Sequence, residues 1–269
     1  MQRTITLVQM DCVEGARRRN HSAVAEATAQ ARHEKADLLA LPELWCSGYD
    51  LARSTQDRER AEQEAREDSR FLEQLSQPGP ALLGGSLLEP VPGGFHNTAV
   101  AYEDGKQLAR YHKLHLFGPL DENRYLKPGK TAPQPFLIAG VRSALTVCYD
   151  LRFPEVYRSL ALAGVELIHV PAQWPRDRIQ HWRTLLVARA IECQCFLVGV
   201  NRLGRFGDIE FGGNSLLVSP TGEIIIDTGE ETGVFTGVID TGEVEELRRR
   251  FPYLQDRRAD LYPFPGAEG

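Results

Sequence analysis

Ser143-Ala144-Leu145-Thr146-Val147-Cys148-Tyr149-Asp150-Leu151-Arg152-Phe153-Pro154 is the stretch on which the fold turns. Ser143 to Val147 is an apolar run of strand length, and a helix opens at Pro154, where a missing N–H costs nothing because it had no intrahelical partner. A second buried strand, Glu166 to Val170, follows that helix. Strand, helix and strand in succession predict a layered α/β domain. Further along, Ile179, Trp182, Leu185, Leu186 and Ile191 recur at near-helical spacing, so Arg178 to Gln194 is expected to pack as an amphipathic helix. Cys195 to Val200 is another buried strand, Asn214 to Pro220 and Glu223 to Ile226 flank a Thr221-Gly222 hairpin, and Gly233 to Ile239 ends the strand set.

The N-terminal half repeats the alternation. Met1 to Met10 reads as an alternating strand, Ser22 to Lys35 as an Ala-rich helix, and Ala36 to Leu41 as a short strand that stops at Pro42-Glu43. Gln56 to Gln77 reads as an exposed helix whose buried edge is Phe71, Leu72 and Leu75. Ala81 to Leu88 and Phe95 to Tyr102 pair as strands, and an Asp104-Gly105 turn leads to a return strand, Gln107 to His112. Hairpins added to βα units call for two sheets packed together with helices outside, since a single doubly wound sheet has no need of them. Leu116 to Pro135 lacks periodicity and is the kind of long loop that holds function. No linker or repeat divides the chain, so residues 1–269 are expected to form one domain, with residues 251–269 as a C-terminal arm. Two prolines keep Asp260 to Pro265 from being helical.

Composition narrows the classes. Of 269 residues, 42% are hydrophobic and 25% charged, the balance of an ordinary globular protein. Lys and Arg total 31 against 37 Asp and Glu, a net charge of −6 with no basic stripe, which argues against a nucleic-acid partner. No window approaches the roughly 18 apolar residues of a membrane span, and the N-terminus has no signal-peptide core. The five cysteines, Cys12, Cys46, Cys148, Cys193 and Cys195, are scattered and odd in number, so neither a disulfide framework nor a zinc cage is expected. A cytoplasmic protein with free thiols follows, and no cofactor is expected.

Cys148 stands where a strand ends and a helix begins. A thiol there sits on a tight turn, with the N–H of the next residue aimed at whatever the sulfur attacks. A helix N-terminus and nearby cations are expected to lower its pKa. An arbitrary cysteine is more often a small buried hydrophobe, and the flanking residues set this one apart. Glu43, at a strand end and walled by Leu44-Trp45, is expected to be desolvated and to act as a general base, although taken alone it reads more readily as a surface glutamate. Lys113, in Tyr111-His112-Lys113-Leu114-His115-Leu116-Phe117, could hold a developing oxyanion or be an exposed lysine. His112 and His115 have HxxH spacing without other ligands beside them. Cys193 and Cys195 read as core, and Arg189 with Glu192 as a structural ion pair.

Together, Pro42-Glu43, Tyr111 to Phe117, and Cys148 to Pro154 resemble the three signature blocks of the nitrilase, or carbon-nitrogen hydrolase, superfamily. Their spacings of 70 residues from Glu43 to Lys113 and 35 from Lys113 to Cys148 are similar to that family's, and the likeness runs from Thr4 to about Arg250. Cys148-Tyr149-Asp150-Leu151-Arg152-Phe153-Pro154-Glu155 resembles the omega-amidase branch, which hydrolyses the terminal amide of acids such as 2-oxoglutaramate. True nitrilases carry Trp-Glu where this chain has Tyr149-Asp150. The resemblance implies a four-layer αββα sandwich of two mixed β-sheets with helices on both outer faces, assembled as homodimers. It also implies a second glutamate after the lysine, a position that Glu122 fits. In such a scheme Glu43 takes the thiol proton, Cys148 attacks the amide, and Lys113 and the Tyr149 N–H hold the oxyanion.

Trp174 follows a strand end that the family places beside the cysteine, so it is expected to line the acyl pocket with Tyr149. The Gln173-Trp174 pair departs from the commonest omega-amidase loop, which has a small residue and Phe. Arg176 or Arg178 could pair with a substrate carboxylate. N-carbamoyl amines, aliphatic amides and nitriles are alternative substrates. A Cys-His thiol hydrolase using His112 or His115 is an alternative mechanism, and a binding scaffold an alternative outside catalysis.

Overall fold

The structure, a computed structural model, describes residues 1–261. Its strands are β1 (Gln2–Gln9), β2 (Leu38–Ala40), β3 (Ala81–Val91), β4 (Gly94–Glu103), β5 (Lys106–His112), β6 (Phe136–Ile138), β7 (Val141–Leu145), β8 (Leu167–Ala172), β9 (Phe196–Asn201), β10 (Leu203–Phe206), β11 (Ile209–Gly212), β12 (Leu216–Val218), β13 (Ile224–Asp227) and β14 (Gly233–Asp240). Its α-helices are α1 (Arg17–His33), α2 (Leu51–Thr55), α3 (Arg58–Leu75), α4 (Glu122–Tyr125), α5 (Pro154–Leu162), α6 (Ile179–Cys193) and α7 (Gly242–Arg250).

The strands form two six-stranded sheets, ordered β14-β1-β2-β3-β4-β5 and β13-β12-β9-β8-β7-β6, beside a separate β10-β11 hairpin. Both follow one plan. Three parallel strands, β1-β2-β3 or β7-β8-β9, are flanked by antiparallel neighbours on each side. The fold is therefore an αββα sandwich built from two like halves, a repeat with no trace in the residue pattern.

Alternation explains how the layers are held. Ile5, Leu7, Leu38, Ala40, Leu83, Ala99 and Ala101 join Leu145, Leu167, Val198 and Val200 in the cluster that runs between the sheets. The intervening Val8, Leu39, Leu41, Leu82, Val100 and Tyr102 pack outward against Val24, Ala27 and Ala31 of α1 and Leu72 of α3. With both faces covered, these strands read as continuous apolar runs. Each fully buried Leu or Ile contributes about 1.5–3 kcal/mol. The alanines leave room for the sheets to approach, so enlarging Ala40 to Leu would overpack that layer at a cost of about 1–3 kcal/mol. On the second sheet Trp182, Leu186 and Ala190 of α6 and Val156, Tyr157 and Leu160 of α5 form the outer layer.

Most expected elements are present, with ends shifted by a few residues. The first helix begins at Arg17 rather than Ser22, and the polar helix is preceded by the short α2. On α3 Leu72 is buried, while Phe71 and Leu75 are partly buried against the same cluster. Ile191 departs from the expected packed face of α6 and is 44% exposed. The long loop contains α4, while β6, the β10-β11 hairpin and α7 are additions to the expected set. Of the expected C-terminal arm, residues 262–269 lie outside the described residues. Among the described residues no helix is long and apolar enough to cross a membrane.

Candidate active site

Glu43 is delivered by a bulge in the neighbouring strand. The β3-β4 register shifts between Leu83 and Ser86, and Gly85 there adopts φ +65°. A Cβ on Gly85 would lie 2.1 Å from the Pro42 carbonyl oxygen, so only glycine lets the chain pass. Ser86 N–H then donates to Pro42 O at 3.2 Å, and Leu44 N–H to Ser86 Oγ at 3.0 Å. The carboxylate that emerges is wholly buried. Trp45 does not wall it, contrary to expectation, because Trp45 donates to Gly84 O and packs in the outer cluster. Asn97, Lys113 and Gln173 surround the carboxylate instead. Asn97 Nδ2 donates to Oε1 at 2.7 Å, and the Gln173 backbone N–H to Oε2 at 2.8 Å.

Lys113 follows β5 and is as buried as Glu43. Its Nζ donates to Glu43 Oε1 at 2.9 Å and to Glu122 Oε1 at 2.6 Å. An ammonium has three donors, so one remains for a further oxygen. Glu122 opens α4 and also accepts from Tyr49 OH and, at 2.7 Å, from the Phe117 N–H. The long loop thus folds back to place a counter-ion against the lysine.

Cys148 begins a 3-10 turn, Cys148–Arg152, inserted between β7 and α5, with φ 45°. A non-glycine residue in that region stores about 1–3 kcal/mol of strain, which the surroundings must hold. Asp150 does much of this holding. Its carboxylate accepts from Val147 N–H at 3.0 Å, Tyr111 OH at 2.8 Å and His115 N–H at 3.1 Å, and pairs with His115 Nδ1 at 2.8 Å. One buried aspartate therefore ties the lysine segment to the cysteine turn. At the turn's other end Arg189 donates to Leu151 O from Nε and Nη2 while pairing with Glu192 at 3.1 Å.

Burial sets the electrostatics. Desolvation pushes the Cys148 thiol well up, Glu43 adds to this, and Lys113 offsets only part. The expected lowering by a helix N-terminus is thus corrected: the turn separates Cys148 from α5, and the resting group is a neutral thiol. Burial likewise raises the Glu43 carboxyl, Lys113 opposes it, Glu122 reinforces it, and the neighbouring Cys148 thiol lowers it slightly. Burial alone would lower Lys113, but Glu122 and Glu43 raise it well above the usual lysine range. A protonated thiol, a carboxylate within hydrogen-bond reach and a buried ammonium are suited to proton abstraction coupled to nucleophilic attack.

Residues 4–249 match the family model of the carbon-nitrogen hydrolases. The chain belongs to the carbon-nitrogen hydrolase family. A 2-oxoglutaramate amidase of Bacillus subtilis (strain 168) is 36% identical over 97% of this chain and all of its own length. A carbon-nitrogen hydrolase of Helicobacter pylori G27 superposes with TM-score 0.89 at 28% identity, covering 97% of each chain. A mutant amidase of Nesterenkonia sp. AN1, whose active-site cysteine carries the acetamide moiety of fluoroacetamide, superposes with TM-score 0.85 at 31% identity, over 96% of this chain and 95% of its own. These relatives place the chain in the omega-amidase-like branch of the nitrilase superfamily, as a hydrolase of non-peptide carbon–nitrogen bonds whose chemistry is amide hydrolysis.

In this carbon-nitrogen hydrolase, Cys148 opens onto a narrow cavity, about 290 Å³ of empty space including its mouth, lined by Tyr49, Phe117, Tyr149, Arg152, Gln173, Trp174, Pro175 and Arg178. Tyr149 and Trp174, expected at the acyl pocket, are among its lining residues. Arg176 is not: its guanidinium pairs with Glu210 at 2.6 Å and Glu230 at 2.7 Å outside the cavity. Arg178, over the Phe117 ring, and Arg152, over Trp174, are the cavity's cations. The Cys-His alternative finds no base, since neither His112, paired with Glu89, nor His115, paired with Asp150, lines the cavity onto which Cys148 opens. These separate partners also remove the HxxH pair as a metal site. Among the described residues His21, Cys46 and Asp68 form one possible metal-binding group, but Arg17 donates to both Asp68 oxygens, at 2.8 and 2.7 Å, and already supplies the cation. Asn97, Tyr49, Gln173 and Asp150 are the residues that sequence reading left without a role. Asp150 and Gln173 lie next to residues singled out there, whereas Asn97 and Tyr49 carry no local signal.

Proposed function

We propose that this enzyme hydrolyses the terminal amide of a small carboxylic acid monoamide of the 2-oxoglutaramate kind, giving the acid and ammonia through a Cys148 thioester. The observation that carries this reading is the Cys148 thiol beside a wholly buried Glu43, which shares the Lys113 ammonium with Glu122. Glu43 takes the thiol proton as the sulfur bonds to the amide carbon. The carbonyl oxygen becomes an oxyanion held by the third Lys113 donor and the Tyr149 N–H, each donor of this kind being worth about 3–4 kcal/mol. Collapse breaks the C–N bond, and the Glu43 proton leaves with ammonia. A water then gives its proton to Glu43 and attacks the thioester, and the departing thiolate recovers that proton. Glu122 holds Lys113 in place throughout.

The cavity supports a short acyl chain with a remote carboxylate, because its aromatic walls are bracketed by Arg152 and Arg178. A neutral aliphatic amide is the second reading, favoured by the narrowness of the same cavity. The homodimer implied by the family is part of the proposal, and analytical ultracentrifugation tests it. Ammonia release from 2-oxoglutaramate, N-carbamoyl amines, aliphatic amides and nitriles tests the substrate, with 2-oxoglutaramate expected to lead. Preference for a carbamoyl compound or a nitrile would overturn that choice. Full activity in Cys148→Ala would overturn the mechanism.

A further inference from the structure

Glu43 is braced from a side that the reaction does not use. Gln173, just beyond β8, donates from its backbone N–H to Glu43 Oε2 and from Nε2 to the Glu43 carbonyl at 2.9 Å. The Gln173 side chain is itself oriented by Arg202, whose Nη1 donates to Gln173 Oε1 at 2.9 Å. Arg202 follows β9 and its side chain has no exposure. Three of its other donors are also engaged: Nη1 on Glu14 at 2.7 Å, Nη2 on Asp11 at 3.2 Å and Nε on Leu203 O at 2.8 Å. The guanidinium lies over Phe211, 4.6 Å from the ring centre. Gly204 makes space for it: φ is +93°, and a Cβ there would stand 2.0 Å from Asp11 Oδ1. Glu14 extends the brace, because its second oxygen accepts from Asp50 N–H at 3.0 Å, beside the Tyr49 whose hydroxyl reaches Glu122.

One buried guanidinium therefore reaches both carboxylates on Lys113 through separate arms, Gln173 to Glu43 and Glu14 to the Tyr49 loop. We propose that Arg202 is a positioning residue for amide hydrolysis, fixing Glu43 through Gln173 and the Tyr49–Glu122 contact through Glu14. The proposal rests on the reading of Cys148 as nucleophile and Glu43 as base. Were Gln173 to drift, Glu43 would lose a donor to its ionised form, that form would be less favoured, and its titration would move to higher pH.

The test uses the full chain and the best amide of the panel above. Arg202→Met keeps the length of the side chain and removes its donors, while Arg202→Lys restores the charge and part of the bonding. Expected for Arg202→Met is a fall in kcat of about 100-fold with KM within about threefold, the penalty of a misplaced base. The acid limb of the pH profile should rise by about 1 unit. Cys148 alkylation by iodoacetamide, located by mass spectrometry, should shift on the pH axis in parallel, whichever amide is preferred. Arg202→Lys should recover at least tenfold of the loss. A folded Arg202→Met with kcat within threefold of the parent, or with both pH profiles unmoved, would overturn the proposal. Should Arg202→Met fail to fold, Glu14→Gln decides: a smaller shift in the same direction supports the brace, and unchanged profiles overturn it. Glu43→Gln and Cys148→Ala run alongside. Retained activity in those two would sink the reading of the site, whereas their inactivity beside a normal Arg202→Met would sink only the role of Arg202.

Discussion

Replacing Glu122 by Gln keeps the shape of the side chain and removes one of the two buried negative charges on Lys113. Three donors converge on that carboxylate: Lys113 Nζ and Tyr49 OH on Oε1, and Phe117 N–H on Oε2. An amide offers one acceptor oxygen and one NH2, so in either orientation at least one donor meets another donor. Losing a hydrogen bond to a charged group costs about 1.5–3 kcal/mol, which in the transition state is about a 10- to 100-fold fall in kcat. The pH dependence has a definite sign. Glu43 and Glu122 oxygens lie 2.9 and 2.6 Å from the same nitrogen, so they are at most about 5.5 Å apart and repel by about 3 kcal/mol at an effective dielectric near 20. That repulsion raises the Glu43 carboxyl. Its removal, and the undivided attention of Lys113, both lower it again. The acid limb of kcat/KM in Glu122→Gln should therefore move down by about 1–2 pH units, read from ammonia release between about pH 4 and 9. A limb that stays in place or moves up while kcat falls would show that Glu43 is not the group being titrated.

Asn97→Ala should act in the opposite sense, because it removes a 2.7 Å donor from the ionised Glu43; its acid limb should rise, and a fall would contradict the site's hydrogen-bond logic. Arg178→Ala should raise KM for a carboxylate-bearing amide by about tenfold or more and leave a neutral amide unchanged, while Arg176→Ala should leave both within about twofold; equal effects of the two variants would argue against Arg178 as the carboxylate partner. Burial pushes the His169 imidazole down to about 3, and its ring nitrogens lack a well-formed hydrogen bond. Stability from this neutral histidine is complete above about pH 6.5 and is lost as pH falls toward 3, about 2 kcal/mol of it between pH 7 and 5. His169→Leu should flatten that part of the pH dependence in urea titrations, and an unaltered slope would refute the assignment.

The strands and main helices were legible because their apolar runs and periods report directly on burial, as in Leu38–Ala40 or Leu167–Ala172. The β10-β11 hairpin escaped because glycines at 204, 207 and 212 interrupt its alternation. Glu43, Lys113 and Cys148 stood out through local context, yet their partners did not. Gln173 is 130 residues from Glu43 in sequence, and Asn97 is 54 away. Such contacts exist only after the sheets are paired. The thiol's charge state was misread for a related reason: adjacent residues suggested a helix end, whereas desolvation by distant ones governs it.

The pairing of β1 with β14 sets Gln2 opposite Asp240, so the first sheet cannot be completed until nearly all of the described chain has left the ribosome. Contacts of such long sequence separation form late and slowly. Glu43 and Lys113 come from one sheet and Cys148 and Gln173 from the other, so a half-made chain holds the base and the lysine without the nucleophile. Activity during synthesis should consequently appear in a single late step, after docking of the two sheets, and partial products should be inert toward amides.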